Sequence, residues 1–313
     1  MKRSIFLVLL SLSVLIPKAG FSECAPFYFR IWPEGETLNR NPMVVLNFSE
    51  SDYPWSKKSE LVAPELGKKI RFFFKSEHSS IPLRLIQRNR GKSDENQVIL
   101  KPARLLEPGV EYTLEFFCQD SVLAKRFLQN IRFRSRSWVV KNEIDKEVPV
   151  WLSEPVFQFK NYVRYGCGPE SYWKFCASFK DQSAVFIQTI VRHLESGKIS
   201  EYLLLPDTHS LVVGYHMCGG AFNMVPGEHY SVSFNLVDAS GNTLNQFSDP
   251  VFVQAPTESD YLSEEELEKK KCPCVSEQNE LEERVSLDFA WILGIVALIV
   301  LLAVANWYRN AIK

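Results

Sequence analysis

Pro108-Gly109-Val110-Glu111-Tyr112-Thr113-Leu114-Glu115-Phe116 returns 118 residues later as Pro226-Gly227-Glu228-His229-Tyr230-Ser231-Val232-Ser233-Phe234. Each copy reads as a Pro-Gly turn feeding a strand whose Tyr, Leu or Val, and Phe recur at period two, so the three share one face of a sheet. Two homologous β-sandwich modules, one around each copy, are the simplest cause.

Working outward, the first module is expected over residues 23–138, with strands at 27–32, 43–48, 70–74, 83–87, 98–101, 112–118 and 127–134. Gly, Pro, Asn and Ser clusters separate them, and no long amphipathic helix interrupts. The second is expected over 146–255, with strands at 156–163, 174–179, 185–194, 199–205, 211–217, 230–237 and 251–253, and an Asx-glycine turn at 238–242. The fold class is therefore all-β: two tandem sandwiches.

The two ends of the 313-residue chain carry hydrophobic segments of different kinds. Lys2 and Arg3 precede an apolar run and then small residues to Ser22, the order of a secretory signal peptide over 1–22, cleaved before Glu23-Cys24. Residues 289–308 hold no charge and are flanked by Trp291, Trp307 and Tyr308, which predicts one membrane-crossing helix with a short cytoplasmic tail at 309–313. Between them, 256–288 is an acidic helical stalk opened by the capping box Ser263-Glu264-Glu265-Glu266. Charge divides unevenly: residues 24–137 carry 19 basic against 13 acidic side chains, whereas 255–288 carry 4 against 11.

Trp32-Pro33-Glu34-Gly35-Glu36-Thr37-Leu38, Pro42-Met43-Val44-Val45-Leu46-Asn47-Phe48-Ser49-Glu50 and the first Pro-Gly phrase together resemble the bacterial Ig-like domain of S-layer and other envelope proteins. The second module resembles an Ig-like or fibronectin-III-like domain. The resemblance implies a tyrosine corner, in which the hydroxyl bonds upstream backbone, at Tyr112 and Tyr230. Residues 33–35 and 46–50 are also similar to periplasmic copper-carrier sandwiches, whose histidine ligands have no counterpart here.

Seven cysteines in an exported chain suggest a disulfide framework with one left over. Cys24 with Cys118 is expected in domain one and Cys167 with Cys218 in domain two. Cys176 is the expected odd thiol, because Phe175, Ala177 and Phe179 take the inward face. Cys272-Pro273-Cys274 is readable as a redox pair, a soft-metal pair, an inter-chain bridge or a purely structural feature. His216 and Cys218 share a strand face near His229, read as a polar face rather than a metal site. Arg132, Arg134 and Arg136 alternate on the expected last strand of domain one, either protecting an edge from pairing with other chains or forming a polyanion face. Arg88, Arg90 and Lys92 crown a hairpin.

No nucleophile elbow, HExxH, P-loop or Rossmann pattern occurs, so neither catalysis nor a cofactor is expected. Export excludes nucleic acid. The expectation is a non-enzymatic protein of the cell envelope, held in the cell membrane by one helix with its N-terminal region extracytoplasmic, and presenting two modules to a protein or envelope polymer. The alternative is a membrane-tethered redox or metal-handling protein using Cys272 and Cys274.

Overall fold

The computed structural model describes residues 29–49, 63–92, 95–131, 133–166, 168–206, 210–216, 219–270 and 272. The expected signal peptide, Cys24, Arg132, Cys167, Cys218, Cys274, the stalk beyond Cys272, the membrane span and the tail lie outside them.

In domain one, β1 (Phe29–Trp32), β3 (Val44–Ser49) and β6 (Glu95–Pro102) form one layer. The facing layer holds β5 (Ser80–Arg90), β4 (Ile70–Lys75), β7 (Glu111–Cys118) and β8 (Ser137–Val140), with the two-residue β2 (Thr37–Leu38) parallel to β8. The layers are joined because the long β5 pairs with β4 over 80–82 and with β6 over 83–90, bending at an irregularity between Leu85 and Gln87. In domain two, β9 (Val150–Tyr165), β10 (Gly168–Lys180) and β13 (Ser210–Tyr215) make a three-stranded sheet in the order β13-β10-β9. Facing it, β12 (Ile199–Leu204), β11 (Val185–His193), β14 (His229–Asp238) and β15 (Val251–Gln254) run in the order β12-β11-β14-β15.

With β2 set aside, both domains place their first, second and fifth strands opposite their fourth, third, sixth and seventh. The two Pro-Gly phrases open the sixth strand in each case. Both domains are thus fibronectin-III/Ig-like sandwiches with one shared topology. Their cores follow from the alternation: Phe72, Phe74, Tyr112, Leu114 and Trp138 are buried in domain one, and Trp173, Phe175, Tyr230, Val232 and Phe234 in domain two.

One expected strand is a helix. Residues 127–131 belong to α1 (Ser121–Ile131), and 133–134 are not in a strand. Asp120 Oδ1 accepts from the Val122 and Leu123 backbone N–H groups at 2.9 and 3.0 Å, satisfying two orphan donors of the first turn. Leu123, Phe127 and Ile131, spaced four apart, then lie on one buried face. Arg134 and Arg136 consequently sit in the connection from α1 to β8, not on the strand that was expected to carry them. Arg136 lies over the Trp138 ring at 5.8 Å and donates to Gly35 O at 3.4 Å.

The domains are not beads on a linker. The outward face of β3 and β6 packs against the outward face of β11, β12 and β14, burying Met43, Val45, Ile99, Phe186, Leu203 and Val237 in a third cluster. Every residue of β3 is buried as a result.

The segment after β15 turns back over the outer face of the β13-β10-β9 sheet. Leu262 N–H donates to Asn161 Oδ1 at 2.9 Å, and Lys160 and Arg164 pair with Asp260 and Glu258, each at 3.0 Å. The predicted capping box is formed: Ser263 N–H donates to Glu266 Oε2 at 2.8 Å at the head of α2 (Glu264–Lys269). Cys272 then bonds Cys176 on β10. Cys176 does point away from the sandwich core, but this returning segment covers it, so it is bridged rather than the odd thiol. Cys118 keeps a free thiol, donating to Asp120 O at 3.2 Å, and its expected partner Cys24 lies outside the described residues.

Candidate functional site

Docking of the two domains leaves a cleft of about 1060 Å³ between the β5–β6 hairpin and the β11–β12 hairpin. Domain one contributes Arg88, Arg90, Gly91 and Lys92; domain two contributes His193, Ser196, Lys198, Glu201, Phe222 and Tyr230. The basic hairpin seen in the sequence is therefore one wall of an interdomain cleft, and Lys198 adds a fourth cation against the carboxylate of Glu201.

Close backbone approach sets the hairpin in place. Lys92 N–H donates to Gly220 O at 2.8 Å, and a Cβ on Gly91 would stand 2.3 Å from that oxygen, so only glycine fits. Lys92 Nζ lies 3.0 Å from the centroid of the Tyr215 ring. That contact favours the ammonium, but burial outweighs it and lowers the Lys92 pKa to about 8. Arg88 is committed to the fold, since its Nη2 donates to Leu66 O at 2.8 Å.

At the domain-two end of the cleft, His193 closes β11, Glu195 occupies the following turn, and Glu228-His229 leads into β14. His193 Nε2 lies 3.0 Å from Glu195 Oε2 and touches Glu228 Oε2, while His229 Nδ1 lies 3.2 Å from Glu195 Oε1. The Glu195 carboxyl is held below its ordinary range chiefly by its own backbone N–H, with a smaller contribution from that of His229. His229 thus joins His193, a residue the sequence reading passed over. His216 lies elsewhere, 3.8 Å from the buried Glu95 carboxylate, and desolvation lowers its pKa. The usable signal was the phrase itself: the second copy has Glu-His where the first has Val-Glu.

The remaining expected site residues separate. Tyr230 makes a tyrosine corner, its hydroxyl accepting from Val225 N–H at 2.9 Å. Tyr112, though fully buried, meets Ser79 Oγ at 3.3 Å, a side chain across the sheet and not upstream backbone. Tyr230→Phe is therefore expected to lower the unfolding free energy by about 1 kcal/mol and Tyr112→Phe by less, read as urea midpoints. Cys272 is held by Cys176, so it is not a free partner for a redox or metal-binding pair with Cys274.

No protein-family model matches the chain, and no curated protein matches it. Among solved structures, the chicken CNTN1 FN1-FN3 domains are similar at 11% identity over 73% of this chain and 65% of that one, with a TM-score of 0.24. The chain therefore spans 65% of that neighbour's length. A two fibronectin type-III domain segment from chicken tenascin is similar at 12% identity, covering 74% and 99%, with a TM-score of 0.18. The S-layer protein rSbsC(31-844) is similar at 10% identity, covering 67% and 32%, with a TM-score of 0.22. At these scores the fold assignment rests on the strand order, and the neighbours carry nothing about function.

Proposed function

We propose that this chain is a non-enzymatic, membrane-anchored protein of the cell envelope whose two fused sandwiches bind an acidic segment of a protein or envelope polymer in the interdomain cleft. The observation that carries this reading is the cleft itself, with Arg90, Lys92 and Lys198 gathered from both domains around it beside the fold-committed Arg88. Cleft walls of low dielectric focus the field of such a group and raise the local concentration of anions. Among the described residues no helix is long and apolar enough to cross a membrane; the anchor is assigned to residues 289–308 on their sequence.

The test uses a fluorescein-labelled oligoglutamate as probe. Binding should weaken steeply between 50 and about 300 mM salt, because exposed charges are screened within roughly 8 Å at physiological ionic strength. Lys92→Gln with Lys198→Gln should weaken it at least about tenfold. An unchanged affinity in that double variant would remove the cleft from consideration.

Lys92 adds a pH signature. Its folded pKa, about 8, lies below its unfolded value, so the folded chain sheds a proton first as pH rises. Probe affinity should therefore fall as pH passes 8, while stability without probe rises between pH 8 and the ordinary lysine range near 10.4. Lys92→Arg, charged throughout, should abolish the pH-dependent fall in affinity. A wild-type pH profile identical to that of the arginine variant would exclude Lys92 from the contact.

A further inference from the structure

We propose that His193, His229, Glu195 and Glu228 form a binding site for a divalent transition cation of the zinc class. This inference stands apart from the acidic-ligand reading of the cleft.

The four side chains come from two turns that the sheet locks together. His193 pairs with Tyr230 across β11 and β14, and Leu194 N–H donates to His229 O at 2.9 Å. Gly197 N–H closes the first turn onto His193 O at 2.9 Å, and Ala255 N–H holds the second through Glu228 O at 2.8 Å. The backbone thus presents the donor set without help from the ligand.

Three observations point to a cation. His193 Nε2 is buried, and neither neighbouring carboxylate meets it with hydrogen-bond geometry. Among the described residues no lysine or arginine pairs with Glu195 or Glu228, so both carboxylates converge on His193, and Glu195 also reaches His229, with no cationic side chain between them. The donor atoms of His193, Glu195 and Glu228 all lie within 4.8 Å of one another, a span that an ion with ligands about 2.0–2.2 Å away can close, and His229, outside that triad but 3.2 Å from Glu195 Oε1, is the fourth ligand that would turn in to complete a tetrahedral shell.

The surroundings suit a metal-binding histidine. Ser196 Oγ stands 2.5 Å from His193 Nδ1 and the Ser196 backbone N–H donates to that nitrogen at 3.3 Å, so without a cation the ring proton sits on Nε2, facing the carboxylates, and is the proton a bound cation displaces. The ring also packs on Tyr230, with centroids 4.8 Å apart, which limits its rotation. Two imidazoles with two carboxylates match zinc; calcium and magnesium take oxygen alone.

Domain one serves as the internal control. Its corresponding strand opening carries Val110 and Glu111, and the turn after β4 carries Glu77 and His78, whose side chains are 88% and 86% exposed and stand 3.8 Å apart. The same topology without Glu228 and His229 gathers no such cluster there. The donor set therefore belongs to domain two's side chains and not to the turn geometry.

The test titrates the tag-free full chain with Co²⁺ alone, read by visible absorption of four-coordinate cobalt, and with Zn²⁺ in competition with a chromophoric chelator. One equivalent is expected. His193→Gln and Glu228→Gln should each weaken Zn²⁺ at least about tenfold, and His78→Gln should change nothing. Should His193→Gln fail to fold, Glu228→Gln and His229→Gln decide the matter from more exposed positions. Absence of a cobalt band in the wild type, or zinc affinity unchanged in the Glu228 and His229 variants, would overturn the site.

Discussion

Replacing both Cys176 and Cys272 with alanine should lower the unfolding free energy by about 4 kcal/mol, because the bridge spans 96 residues and closes a loop of that order in the unfolded chain. The measurement is equilibrium urea denaturation of the purified protein, with protease cleavage of 256–272 as a local readout. The staple holds that segment on the sheet together with the Lys160–Asp260 pair and the Leu262–Asn161 hydrogen bond, so the double variant should expose it to proteolysis while β10 stays protected. An unchanged midpoint with unchanged cleavage would show that the bridge contributes nothing. The expected acidic stalk is thus part of domain two at least as far as Cys272.

Gln97→Leu is expected to cost about 3 kcal/mol or more. Gln97 is fully buried between the domains with all of its hydrogen-bonding capacity used. Its Nε2 donates to Asn47 Oδ1 and Leu203 O, both at 2.9 Å; its Oε1 accepts from Leu203 N–H at 2.8 Å and Asn89 Nδ2 at 2.9 Å. The side-chain amide behaves as a short piece of strand against the free edge of β12. Leucine fills a similar volume but strands the Leu203 N–H and C=O and two buried amides, each lost pairing being worth about 1–3 kcal/mol. Wild type should unfold in one transition, since Val45, Ile99, Phe186 and Leu203 couple the sandwiches. The variant should show two. Retention of a single transition at the wild-type midpoint would mean that the interface does not depend on this latch.

Sequence patterning carried much of the architecture. Period-two alternation after each Pro-Gly turn placed Tyr112, Leu114 and Phe116, and Tyr230, Val232 and Phe234, on inward faces, because strand geometry makes that local pattern nearly sufficient. The same is true of the 238–242 turn, where Asp238 Oδ1 accepts from Ser240 and Asn242 N–H at 2.8 and 2.7 Å, and of the Ser263 cap. Local signals also mislead when two periods compete. Phe127, Ile131 and Phe133 fit a strand by content, yet Asp120 ahead of Leu123, Phe127 and Ile131 is a helix start, and the cap prevailed.

What the sequence by itself determined, then, is two related sandwiches, the inward faces of the strands that follow the repeated phrase and the basic run Arg88–Lys92, all consequences of contacts between near neighbours or of a repeated phrase. Only the tertiary structure decided how the domains meet. The uninterrupted apolar runs Val44-Val45-Leu46 and Val98-Ile99-Leu100 mark strands buried on both sides, but a one-dimensional pattern does not say against what. The partner of Cys176, the cleft between two hairpins and the meeting of His193 with Glu228 depend likewise on residues that are distant in sequence. Distances of that kind are set by packing, and packing is decided by the whole chain at once.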